Sequence, residues 1–182
     1  MKIIRRLIKD CFASLAMTLS FVFATTLCSL PVWADVNDFQ LTSTAFENNT
    51  DIPQQYTCDG GDINPPLIFK NVPRGARSLA LTVSDPDAPS GRWSHWVICN
   101  IRPNIGQIAE NTSPGTEGLN DFGKDTYGGP CPPGGKLHHY IFHAYALDTI
   151  LNINNRPTIN EVEKAVEGHI IAQTQLVGTY RK

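Results

Sequence analysis

The 182-residue sequence lacks several of the patterns that would announce an enzyme or a metalloprotein. It contains no G-x-S-x-G and no H-E-x-x-H or other compact set of metal ligands, so neither an elbow-mounted serine nucleophile nor a metal centre is indicated. No internal repeat and no low-complexity linker follows the N-terminal segment, which leaves room for one domain. Helical periodicity is scarce, confined to one segment near the C-terminus. Basic charge is also sparse, and where it lies matters.

Lys2, Arg5, Arg6 and Lys9 precede a largely apolar stretch from Cys11 to Leu30, and Val32-Trp33-Ala34 offers an A-x-A-like exit. Residues 1–34 are therefore expected to be a secretory signal peptide cut after Ala34. An uncleaved anchor is the alternative, since about 20 apolar residues can just span a bilayer. Interspersed Ser and Thr and the small-residue exit favour cleavage. A lipoprotein site at Cys28 is disfavoured because Leu27 stands where a small residue belongs. Removing residues 1–34 takes away four of the 15 basic and one of the 17 acidic residues, leaving 11 against 16 and a formal charge of −5 over residues 35–182. That balance argues against nucleic acid or an anionic membrane surface as partner. The expected location is periplasmic or secreted, with no stable membrane span after cleavage. Any anion site would have to be local, built from histidine, hydroxyls and backbone N–H groups.

Three cysteines lie beyond residue 34: Cys58, Cys99 and Cys131. Export permits a disulfide, and the odd count leaves one thiol over. Cys99 falls in the apolar run Trp96-Val97-Ile98-Cys99 and reads as buried. Cys58 and Cys131 both sit in Gly/Pro-rich loops and are the favoured pair, with two free thiols as the alternative.

Short β-rich runs recur between turn signals at residues 39–43, 67–69, 78–84, 93–101 and 139–147. Within them, residues 79–83 and 140–147 are almost continuously apolar, as in strands buried on both faces. Thr158-Ile159-Asn160-Glu161 forms a capping box, and Ile159, Val162, Ala165, Val166 and Ile170 mark one helical face. A last strand is expected over 174–180. The fold class is mainly β, with the late helix packed on a sheet or closing one end. Residues 102–135 show little periodicity and many Gly, Pro, Asn and Thr. So long a stretch inside a compact domain points to function.

Chemistry-bearing residues gather in three places: Asp85-Pro86-Asp87-Ala88-Pro89, then Ser94-His95-Trp96, then Tyr127-Gly128-Gly129-Pro130-Cys131-Pro132-Pro133 leading to His138-His139-Tyr140. Proline fixes backbone and glycine permits close approach, so each segment suits a small stiff pocket. Asp85 abuts a buried strand and reads as functional, whereas Asp87 alone reads as a turn former. A lone His95 is more often structural. Alternation puts His138 and Tyr140 on one face and His139 and Ile141 on the other. If strands 93–101 and 139–147 are neighbours, His95, His138 and Tyr140 share a wall with Asp85. His169 is expected on the helix. Imidazole, phenol and Gly-loop amides suit an anion, and the aspartate among them suits a zwitterion or serves to orient a histidine.

Taken in order, D-P-D-A-P, G-x-W-S-H-W and Y-G-G-P-C-P-P-G followed by H-H-Y resemble the phosphatidylethanolamine-binding protein family, including bacterial members described as Raf kinase inhibitor-like. The resemblance runs from about Phe39 to Tyr180 and takes in Tyr56-Thr57-Cys58-Asp59-Gly60 and Pro65-Pro66-Leu67. It implies a large antiparallel sheet with a second smaller sheet and a C-terminal helix, forming one domain over residues 35–182. It also implies a ligand-binding pocket of Asp85, Pro89, Trp93, His95, Gly129, Pro132, Pro133, His138 and Tyr140, with a mostly structural role for Asp87. Cys131 and His139 depart from the family pattern, where a small residue and arginine are common, and the C-terminal extension of some eukaryotic members is shortened.

The combined expectation is an exported, non-enzymatic binding protein that takes phosphorylated or zwitterionic headgroups, needing no cofactor and no metal. The alternative is a protein-interaction module that inhibits a protease or kinase or engages a host protein. A hydrolase using His95 or His138 as base is the third reading.

Overall fold

The computed structural model describes residues 39–182, so the expected signal segment lies outside the described residues. The chain runs β1 (Gln40–Ser43), β2 (Thr50–Asp51), a 3-10 turn (Gln54–Tyr56), β3 (Leu67–Lys70), β4 (Ser78–Asp85), β5 (Trp93–Ile101), β6 (Gln107–Ile108), β7 (Thr116–Glu117), β8 (His138–Leu147), α1 (Ile159–Val166) and β9 (Ile170–Tyr180). These strands form a three-stranded sheet in the order β1-β3-β6 and a six-stranded sheet in the order β2-β9-β8-β4-β5-β7. The large sheet is antiparallel except at its edge, where β2 pairs with β9 in parallel through Thr50 opposite Gly178 and Asp51 opposite Thr179.

Two apolar layers hold the fold, one on each face of the large sheet. Leu79, Leu81, Val83, Trp96, Ile98 and Phe142 pack towards the small sheet, meeting Leu41, Leu67 and Phe69. Their alternating neighbours Ala80, Val97, Cys99 and Tyr145 pack instead with Ile159, Val162 and Val166 of α1. Period-two alternation delivers each set to its own layer, because successive side chains leave a strand on opposite faces. With both faces covered, every residue of β4 is buried. That explains its nearly continuous apolar run, more usual in a parallel sheet than in an antiparallel one. Burial pushes the Cys99 thiol up to about 11, and this cysteine is unpaired.

The helix differs from its expected extent. Its capping box forms as expected, Thr158 accepting from the Glu161 backbone N–H and Glu161 reaching back to the Thr158 N–H. It ends at Val166, one turn before Ile170, because Gly168 adopts φ +79° and reverses the chain into β9. Ile170 therefore opens a strand, and His169 lies past the helix, where its Nδ1 meets Asp148 Oδ1 at 2.9 Å. No helix among the described residues is long and apolar enough to cross a membrane.

Candidate functional site

The two histidine-bearing strands are not neighbours: β4 lies between β5 and β8. The histidines converge because Asp85, the last residue of β4, stands between them. Nδ1 of His138 lies 2.7 Å from Asp85 Oδ2, with both side chains almost wholly buried. A carboxylate accepts, so Nδ1 of His138 carries the proton. The other Asp85 oxygen, Oδ1, accepts the Asp87 backbone N–H at 2.8 Å. Both carboxylate oxygens are thus engaged by the protein, and Asp85 fixes the orientation of His138.

His95 reaches the same place through an irregularity in β5. Val83 pairs with Trp96 and Ser84 with Ser94, so His95 is the extra residue of a β-bulge. Simple alternation from Val97 and Cys99 would send it to the helix side of the sheet. The bulge turns it to the opposite side, where its ring meets Tyr140 edge-on at 5.1 Å and Phe122 at 5.2 Å. Its Nδ1 lies 2.7 Å from the Gly128 carbonyl oxygen, which can only accept, so here too Nδ1 carries the proton. Burial holds the His95 ring below the ordinary imidazole value, and the Gly128 carbonyl and the Asp85 charge oppose this only partly. The free site therefore holds a neutral His95 near pH 7.

A cleft of about 230 Å³ opens over these groups, lined by Asp85, Pro89, Trp93, His95, Pro132, Pro133 and His138, and also by Ala88, Ser90, Phe122 and Cys131. Seven of the nine residues expected to bind ligand thus face one cavity. Gly129 and Tyr140 lie behind it. The Gly129 N–H donates to Asp62 Oδ1 at 2.6 Å. Tyr140 is fully buried, and its hydroxyl makes no hydrogen bond of normal geometry although it lies close to the Cys131 backbone. Burial and the nearby Asp85 charge hold that phenol protonated. Phe122 escaped the sequence reading. It lies in the aperiodic stretch 102–135, and nothing local foretells that its ring would meet Trp93 edge-on at 5.6 Å.

The rim is tied down from two sides. Cys58 and Cys131 are bridged, their Cα atoms 5.4 Å apart, and the Cys58 N–H donates to the Pro130 carbonyl at 3.1 Å. The C-terminal Lys182 pairs with Asp59 at 3.1 Å, its Nζ within 3.7 and 3.8 Å of the two sulfurs. On the other side Asp87 Oδ2 accepts from both the backbone N–H and Nδ1 of His139, at 2.9 and 2.7 Å. Those bonds hold the Asp87 carboxyl below its usual range and lock the β4–β5 connection to the start of β8. No group of three or more residues suited to hold a metal ion occurs among the described residues.

Against known proteins, the sequence model of the family described as phosphatidylethanolamine-binding protein matches residues 42–181. A UPF0098 protein of Methanothermobacter thermautotrophicus is 44% identical over 149 residues, covering 78% of this chain and 98% of that protein. A second, from Chlamydia trachomatis, is 45% identical over 149 residues, covering 79% and 99%. Among solved structures, the phosphatidylethanolamine-binding protein homolog CT736 of Chlamydia trachomatis superposes with a TM-score of 0.77 at 44% identity, covering 80% of this chain and 99% of that one. YbcL of E. coli, described as a member of the mammalian family, superposes with a TM-score of 0.73 at 30% identity over 79% and 98%.

Proposed function

Because this chain belongs to the phosphatidylethanolamine-binding protein family, we propose that it is a non-enzymatic binding protein whose histidine cleft takes the phosphate-type anion of a small ligand, including zwitterionic headgroups. The observation that carries the reading is that His95 and His138 line one cleft with Nδ1 of each already committed to a fixed acceptor. A guest therefore meets their Nε2 edges. An anion there favours the protonated rings, so binding takes up protons. Charge-assisted bonds of this kind contribute about 1.5–3 kcal/mol each, and two of them, less the cost of association, suit micromolar to millimolar affinity. Because Asp85 is engaged on both oxygens, the anionic end of a zwitterion is what the cleft recognises, and an ammonium adds little.

The same reading has the protein exported, with residues 1–34 removed. The Cys58–Cys131 disulfide supports it, since such bridges persist in oxidising compartments. Mass analysis of the mature protein should give an N-terminus at Asp35; an intact Met1 on the accumulated protein would refute export by cleavage.

The deciding experiment is calorimetric titration with inorganic phosphate and with phosphoethanolamine, repeated on His138→Ala. Saturable binding of both ligands, within a few-fold of one another and lost in the variant, is expected. No binding of either, or binding that survives the substitution, would overturn the cleft as an anion site.

A further inference from the structure

A second and larger cavity has no part in the anion site. It measures about 340 Å³ and is lined by residues that include Asp62, Asn64, Trp96, Thr112, Glu117 and Tyr127. Its floor is aromatic: Trp96 and Tyr127 are almost fully buried and meet edge-on at 5.7 Å. Two of its neutral polar side chains, Asn64 and Thr112, are already occupied in holding the wall together. Asn64 donates to the Pro65 and Ala109 carbonyls and accepts from the Thr112 N–H, and the Thr112 hydroxyl donates to Ala109. The two carboxylates are less committed. Asp62 accepts the Gly129 N–H on Oδ1, and Glu117 has a long 3.5 Å contact from the Trp96 indole N–H. None of the described lining residues is a lysine, arginine or histidine.

Two carboxylates without a basic partner, over an aromatic floor, define the guest by charge and by size. A bare metal ion is a poor match, because no group of three ligating side chains forms among the described residues and the cavity far exceeds one ion. An anion would meet like charge. An organic cation satisfies both features, its ammonium groups pairing with Glu117 and Asp62 and its alkyl chain covering aromatic surface. We propose that this cavity is a second ligand site, specific for an aliphatic ammonium ion of diamine type.

The two cavities carry their own reporters. Trp93 lines the histidine cleft and Trp96 the acidic one, so their indole N–H resonances, assigned with Trp93→Phe and Trp33→Phe, report the two sites separately. The full chain is titrated with 1,4-diaminobutane, with the neutral isostere 1,4-butanediol and with calcium chloride. The diamine should move the Trp96 resonance saturably and leave Trp93 in place, while the diol and calcium move neither. Glu117→Gln should weaken the diamine about fivefold, as for a half-exposed ion pair. Asp62→Asn, which keeps an acceptor for the Gly129 N–H, serves as the second variant if Glu117→Gln loses native spectral dispersion. A Trp96 signal unmoved by the diamine would overturn the site. So would an equal response to the diol or to calcium, or full affinity in whichever variant remains folded.

Discussion

The two clefts share one stretch of chain yet differ in every property that decides what they hold. Residues 127–129 give the Gly128 carbonyl to His95 in one and the Tyr127 ring and the Gly129 N–H to the other. The histidine cleft sets two buried imidazoles among three prolines and the disulfide, with each Nδ1 already bonded. The acidic cleft is wider, and its carboxylates stand where water reaches them, Asp62 exposed and Glu117 half-buried. Burial thus separates the histidine cleft from an acidic one whose carboxylates stay within reach of water.

Cutting the rim of the first cleft is the harshest way to break this contrast. The disulfide spans 73 residues, and chain-entropy reasoning gives its removal in Cys58→Ser/Cys131→Ser a cost of about 4 kcal/mol, measurable by urea unfolding. Phosphate affinity should fall with it, because Cys131 and the adjacent prolines line that cleft, while the Trp96 response to diamine persists in the folded fraction. Next in size is His138→Ala. It leaves Asp85 buried without its partner, costing on the order of 3 kcal/mol and abolishing phosphate binding. An unfolding midpoint within error of the parent would show that the pair contributes nothing.

The shared wall tests the comparison from both sides. A Cβ at Gly129 would lie 2.6 Å from the Tyr56 carbonyl oxygen and 2.8 Å from Asp62 Oδ1, so Gly129→Ala must displace backbone. A loss of about 2 kcal/mol is expected, with both Trp93 and Trp96 resonances shifted. Movement of one alone would show that the clefts are mechanically separate.

The smallest effect is the most diagnostic. With His95 held below its ordinary value, the folded protein refuses a proton that the unfolded chain accepts below about pH 6.5. The stability owed to this group is whole above that pH and is lost as pH falls towards the depressed folded value. An anion reverses the sign locally. Sulfate, whose charge is constant over this range, should bind about tenfold tighter at pH 5 than at pH 7.5 and protect against acid unfolding. The diamine should show no such gain in acid. Sulfate affinity that is flat with pH would remove the imidazoles from anion recognition.

Parts of the candidate site were legible because its residues come in local packets, although the pocket as a set was implied only by the family resemblance. Asp85-Pro86-Asp87 and Pro132-Pro133 restrict their own backbones, and capping at Thr158 rests on four consecutive residues. The acidic cleft left no such trace. Asp62, Trp96, Glu117 and Tyr127 come from two loops and two strands, and none carries a pattern that links it to the others. The two-residue strands β2, β6 and β7 were equally invisible, since two residues cannot display a period. Helix α1 was read one turn too long because Ile170 happens to fall on the helical face, while Gly168 decides the end.

By itself the sequence determined a mainly β chain with two buried strands and a capped helix, favoured Cys58 and Cys131 as a pair, and gathered the residue types of a candidate pocket. These follow from period, turn chemistry and composition, which act over a few residues. Only the tertiary structure decided that β4 separates the histidine strands, that a bulge turns His95 to the face of Tyr140, and that both oxygens of Asp85 are taken. Those outcomes depend on register between strands distant in sequence, where one extra residue reverses a side chain and no local energy records the choice.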